Sequence, residues 1–272
     1  GLYDPEDYDL DIYMWTNSDG DQLKDLFKRI SKIKLSDDAS ELMNISILTN
    51  AYSPQKNITK EEFSKFKSDW LIKNSDLDLV EEYLIKNQIF HKNTKLSKFL
   101  VDQYLSQFEL EKACEIFSKN FKPIDETYLS KFNIYCLISN GKKNEAQLNL
   151  DLKKELGFKE KYFEKKINYL LGFTSEIDEE ISEQSILDFH LAHITNPSFK
   201  FEPKENTSKI IWKYLSSANL LSSFKEIDTT QLDKIANIEK AVHNGNYPEK
   251  DLFLLYKRFQ FNITQLLNAQ EN

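Results

Sequence analysis

Arginine is almost missing from this chain: Arg29 and Arg258 are the only two among 36 basic residues, against 44 acidic ones and a formal charge of −8. A nucleic-acid surface needs a basic face, commonly with arginine forks on phosphate. Here the lysines alternate with acids, the pattern of solvated helix faces, so nucleic acid is excluded as a partner. Glycine and proline are scarce too, six of each in 272 residues. Folds made of strands need many turns, so this scarcity, with abundant Leu, Lys, Glu, Ile and Asn, predicts an all-α protein. No stretch approaches the roughly 18 apolar residues of a membrane span. The numbering opens on Gly1 rather than Met, as a tag scar or a removed upstream segment would leave it. Cysteine is limited to Cys114 and Cys136, too few for a metal cluster; buried free thiols are the expected state rather than a disulfide, since helical scaffolds seldom need the staple.

What is present is helical periodicity. Residues 127 to 156 read as two helices around Asn140-Gly141, where glycine takes positive φ cheaply and lets the chain fold back. Leu129, Phe132, Cys136 and Leu137 stripe the first helix, with Ile134, Tyr135 and Ile138 widening it; Ala146, Leu148, Leu150, Leu152 and Leu156 form the apolar seam of the second. Steps of 33 and 34 residues backward keep four columns apolar: Leu137, Tyr104 and Trp70; Ile138, Leu105 and Leu71; Ala146, Ala113 and Leu79; Leu150, Phe117 and Tyr83.

In chain order, residues 1 to 17 form an acidic, extended arm laid on the body by its aromatics. Asn17 to Asp21 does not fit a calcium loop, because Trp15 and Leu26 fall where carboxylates are required; Ser18 with Asp21 is the expected cap of a helix through Leu23, Leu26, Phe27 and Ile30. A helix at 37–50 comes next, striped by Leu42, Ile45 and Leu48, and Pro54 ends that pair. Thr59 with Glu62 is a capping box opening a hairpin whose turn is Asn74-Ser75-Asp76. A second hairpin spans 94–120, Pro123 marks the step to the third, and a fourth begins near Lys159. The acidic stretch 172–182 reads as a loop, a helix resumes at Ile186 to Ile194, and 196–206, with Pro197 and Pro203, reads as an irregular connector. Helices are predicted at 207–219, 229–243, 248–260 and 261–270. The domain reading is an arm (1–17), a helical-repeat region (18–195) and a C-terminal helical region packed on the repeats (196–272).

Helix, short turn, alanine-marked second helix and a proline before the next unit resemble the tetratricopeptide-like repeats, on Ala113, Ala146, Gly141 and Pro123. The likeness covers residues 59 to 171. It implies a right-handed superhelix of antiparallel helical hairpins, an α-solenoid. Irregular hairpins of this kind are also similar to the superhelical region of soluble lytic transglycosylases, which would place the chain in the periplasm rather than the cytoplasm. That family's catalytic Glu-Ser pair is missing, so its activity does not carry over.

No catalytic motif stands out. His190 and His193, three apart on one helix face, lack the further ligands a zinc site needs and are read as structural; His91 and His243 stand at helix ends. No glycine-rich phosphate loop, nucleophile elbow or cofactor motif occurs, so no cofactor or metal is expected. The role left to the chain is non-enzymatic: a scaffold binding a protein or peptide in the groove of its first helices, with Lys67, Lys98 and Lys131 suited to an acidic ligand and Tyr104 and Tyr135 beside them. A cell-envelope accessory protein that contacts peptidoglycan is the alternative.

Overall fold

The computed structural model describes residues 1–74, 77–119, 124–204, 206–221, 227–243, 245 and 247–259. Among them the regular structure is helical, with isolated bridges (Tyr3 to Thr49, Asp19 to Lys56) in place of strands. The helices are α1 (Gly20–Ile30), α2 (Asp37–Leu48), α3 (Lys60–Asn74), α4 (Leu77–Lys86), α5 (Thr94–Ser106), α6 (Leu110–Ser118), α7 (Thr127–Ser139), α8 (Lys143–Glu155), α9 (Lys161–Leu171), α10 (Ile186–Thr195), α11 (Lys209–Ser217), α12 (Leu232–His243) and α13 (Glu249–Tyr256). The helix expected at 261–270, Pro123 and the turn residues Ser75 and Asp76 lie outside the described residues. Two compact units divide the chain: Gly1–Val101 with Glu111–Leu137, and Asp102–Leu110 with Ile138–Asn272.

In the first unit the N-terminal segment is not extended. A short 3-10 helix occupies Glu6–Tyr8, and turns come after it. Leu2 is buried, and its amide donates to the Leu48 carbonyl at 2.6 Å. The aromatics do lay the segment on the helices, Tyr13 stacking on Tyr52 and Trp15 tilting against Phe63. The cap of α1 is Asp19 rather than Ser18: its carboxylate accepts the Asp21 amide at 3.0 Å and an ion pair from Lys56 at 2.9 Å. The capping box of α3 is formed, Thr59 Oγ1 accepting the Glu62 amide and Glu62 accepting the Thr59 amide. In α2 Ile47 and Leu48 are buried and Ile45 is half-buried, whereas Leu42 is 66% exposed, so the expected stripe is packed toward the end of the helix and open at its start. α3 packs on both α2 and α4.

Phe90, Phe117, Phe132 and Tyr135 form a run of ring contacts from 5.0 to 5.8 Å through the core of this unit. Beside it Cys114 and Cys136 form a disulfide, with Cα atoms 5.2 Å apart, and neither is a free thiol. The reason is rotational: α6 and α7 each turn their cysteine inward at the level where Phe117 meets Phe132, inside the span a disulfide bridges.

In the second unit α10 packs between α9 and α11. Phe189 meets Phe199, Phe201 and Tyr214 edge-on, so the connector 196–206 is pinned by its aromatics and, among its described residues, carries no helix. The acidic segment after α9 is irregular, as expected, and it is held. Lys166, 1% exposed, donates through Nζ to the carbonyls of Asp178 and Glu180, and Tyr162 Oη donates to the Asp188 carbonyl at 3.0 Å and accepts the Ser182 amide. Ser185 then caps α10 by accepting the Asp188 amide at 3.0 Å. Replacement Lys166→Met keeps the aliphatic stem and removes both loop anchors. Endoproteinase Glu-C should then cut after Glu176, Glu179, Glu180 or Glu183 about tenfold faster than in the wild type, the equivalent of ~1.4 kcal/mol of local stability; unchanged cleavage would show that the loop does not depend on this lysine.

Candidate functional surface

The residues singled out for a groove are placed very differently from one another. Tyr104 and Tyr135 are 1% and 4% exposed and belong to the core. Lys131, expected to be exposed, is 6% exposed. These three cannot line an open groove, because α7 is buried nearly all round, from Tyr128 to Phe132 and from Ile134 to Cys136, and Tyr104 lies in the core. Lys98 is exposed, its Nζ lying over the Tyr128 ring at 4.6 Å. Lys67 is half-buried on α3, with Nζ 5.1 Å from the Phe63 ring centre. The five do not form one surface.

The two histidines of α10 are brought together with a partner the sequence did not indicate. Nδ1 of His190 and Nδ1 of His193 each lie 2.8 Å from the Tyr214 hydroxyl on α11. The hydroxyl has one proton to give, so at least one imidazole is the donor. Phe108, at φ +60, puts its ring against all three. Burial pushes the pKa of both imidazoles down, His190 to about 3, with His193 as its second cause. They are neutral at ordinary pH, part of a packed aromatic cluster. Among the described residues no group of His, Cys, Asp and Glu could hold a metal ion, and no helix is long and apolar enough to cross a membrane.

A line of exposed leucines lies on α8. Gly141, at φ +75, turns the chain into this helix, and Gly157, at φ +93, ends it, the Phe158 amide reaching back to the Lys153 carbonyl at 3.0 Å. Ala146 and Leu150, one turn apart, are fully buried. Leu148, Leu152 and Leu156, expected in the same seam, are 60%, 50% and 82% exposed. An α-helix turns 100° per residue, so residues 146 and 150 share one side while 148, 152 and 156 run along the other. The alternate leucines of this segment therefore divide into two stripes, of which the body covers one.

From Asn144 to Leu156 the exposed residues are Asn144, Glu145, Leu148, Asp151, Leu152, Glu155 and Leu156. Their steps of one, three and four are those of a contact face on an amphipathic helix. Three leucines occupy it with three carboxylates and no lysine. The lysines of the helix body are drawn elsewhere: Lys154 pairs with Glu164 at 3.1 Å, and Lys153 is partly buried. Gln147 fixes Asp151 by a 2.8 Å hydrogen bond, and Lys142, just before the helix, reaches Glu145 at 3.7 Å. Solvent-exposed leucines at this spacing, three on one helix, are what a partner-binding face needs and what an isolated surface does not. No protein-family model, curated protein or solved structure matches this chain.

Proposed function

We propose that the chain is a non-enzymatic helical scaffold that binds another protein, and that the outward face of α8 is where it does so. The observation that carries this reading is the line of Leu148, Leu152 and Leu156, exposed with Glu145 at its N-terminal end and Asp151 and Glu155 along one flank. Its complement is an amphipathic helix with apolar residues at steps of three and four and lysine or arginine beside them. A second copy of this chain fits poorly. Two α8 helices paired antiparallel about a two-fold axis would set each flank against itself, facing Asp151 and Glu155 with their own symmetry mates, and like charges at such spacing repel.

The helical-repeat reading supports a scaffold. Of the twelve residues in the four repeated columns, Trp70, Leu71, Tyr83, Tyr104, Leu105, Ala113, Phe117, Ala146 and Leu150 are buried and Leu79, Leu137 and Ile138 are half-buried. Columns that recur at a fixed step and turn inward are what stacked hairpins of a tetratricopeptide-like solenoid require. The disulfide favours a second reading on location: such bonds persist in oxidising compartments, consistent with an envelope protein, whose contact with peptidoglycan would appear as co-sedimentation with purified sacculi.

Binding is tested with two synthetic helical peptides that share one leucine stripe, one flanked by lysine and the other by glutamate. The lysine-flanked peptide should bind, the glutamate-flanked one should not, and Leu152→Asp should weaken the first about tenfold or more, the usual size of a central contact residue. Equal binding of both peptides, or none of either, would overturn the proposal. Analytical ultracentrifugation of the protein alone should show a monomer.

A further inference from the structure

A cavity of about 670 Å³ opens in the first unit between the segment 51–58, the start of α3 and α4. That is the size of a pocket for a small organic molecule. Its walls are aromatic in large part, with Tyr52, Phe63 and Tyr83, and its other polar side chains are those of Ser53, Gln55, Lys60, Ser64 and Lys67. No carboxylate lines it, in a chain where acids outnumber bases by 44 to 36. Lys67 is the central feature. It is half-buried and makes no ion pair among the described residues, its ammonium lying over the Phe63 ring. A desolvated ammonium without a carboxylate is costly, and a cation–π contact offsets only part of that cost.

We infer that this cavity binds a small organic anion, a single oxyanion group carried on an aromatic or apolar body, with Lys67 as the cation that receives it. The body stacks among Tyr52, Phe63 and Tyr83. The anion meets the Lys67 ammonium, and the Ser64 hydroxyl is a donor in the same wall. The site belongs to α3 and its surroundings, so it stands or falls independently of the α8 face.

The charge state suits this role. Burial lowers the pKa of Lys67 to about 8, leaving it protonated at pH 7 and neutral above pH 9. Burial raises the pKa of the Tyr83 phenol, which stays protonated and able to donate. Lys60 is exposed. Between pH 7 and 9 the change in the cavity is therefore the loss of the Lys67 charge.

The test uses 8-anilino-1-naphthalenesulfonate, monitored by fluorescence, against the neutral N-phenyl-1-naphthylamine, which has the same rings without the sulfonate. The sulfonate should bind saturably at pH 7, with affinity falling about tenfold by pH 9. Lys67→Met should weaken it about tenfold or more at pH 7, the worth of a hydrogen bond to a charged group, remove the pH dependence, and leave the neutral probe within about twofold. Lys67→Arg should retain binding, Lys98→Met should not alter it, and Leu152→Asp reports any probe held on α8. A melting curve checks that Lys67→Met is folded. Displacement by phenylpropionate but not by inorganic phosphate would assign the anion to an organic carboxylate, whereas displacement by both would assign it to oxyanions in general. No saturable binding at pH 7, or equal affinity of wild type and Lys67→Met for the sulfonate, would overturn the inference.

Discussion

Reducing the Cys114–Cys136 bond lowers the stability of the folded protein by about 3 kcal/mol. The two residues are 22 apart in sequence, and closing a loop of that length removes conformational freedom from the unfolded chain worth roughly that amount. Both cysteines are buried, at 4% and 2% exposure, beside the Phe90, Phe117, Phe132 and Tyr135 core, so the bond acts where packing is already dense. Urea unfolding with and without dithiothreitol measures the effect: the midpoint should fall on reduction, and a Cys114→Ser/Cys136→Ser double variant should unfold early under both conditions. A midpoint indifferent to reductant would show that the α6–α7 contact is held by its aromatic rings alone. Because reduction touches neither α8 nor Lys67, peptide and anion binding should survive it wherever the protein remains folded.

Local chemistry was the part of the fold most legible in the sequence. Thr59 with Glu62, Gly141 at positive φ and the irregular 172–182 stretch each depend on a few adjacent residues, and each is found as expected. Helix existence was legible in the spacing of apolar residues for the same reason. Which apolar stripe faces inward is a tertiary property, and there the periodicity misled. Leu42 looked no different from Leu48, and Leu148 no different from Leu150, yet the first of each pair is exposed. In α8 a signal was present: Leu150 shares its side with a small residue, Ala146, which permits close approach of a neighbour, while Leu148, Leu152 and Leu156 lie beside carboxylates. Acid-flanked leucines and alanine-flanked leucines are different faces, and treating them as one seam hid the surface now proposed for binding.

The same distinction accounts for the lysines. Lys67, Lys98 and Lys131 stand at nearly equal steps, yet one lines a cavity, one lies over a tyrosine ring and one is buried. Lysine can extend a long apolar stem in any of these settings, so its position in a repeat does not fix its exposure. The pairing of His190 and His193 was visible in their spacing. Their shared partner was not, since Tyr214 lies 24 and 21 residues on, beyond a connector whose path no periodicity describes.

Acid exposes that cluster as the weak point of the second unit. His190 is 0% exposed, and burial lowers its pKa from 6.5 to about 3. An unfolded chain protonates this imidazole near pH 6.5, so between pH 6.5 and 3 the unfolded state binds more protons than the folded one, and stability falls as pH falls through that window. Over the whole window the loss is on the order of several kcal/mol, and His193, also lowered by burial, adds in the same direction. The charge would arise among Tyr214, His193 and the Phe108 ring, with Asp188 the carboxylate on the same helix; an imidazolium at His190 can only donate through Nδ1, so the Tyr214 hydroxyl could only accept there. Urea midpoints at pH 7, 5.5 and 4 should decline steadily in the wild type. His190→Gln keeps a neutral hydrogen-bonding side chain and removes the titration, so it should start lower at pH 7 and decline less on acidification. An unaltered slope in that variant would place the acid sensitivity in groups other than His190.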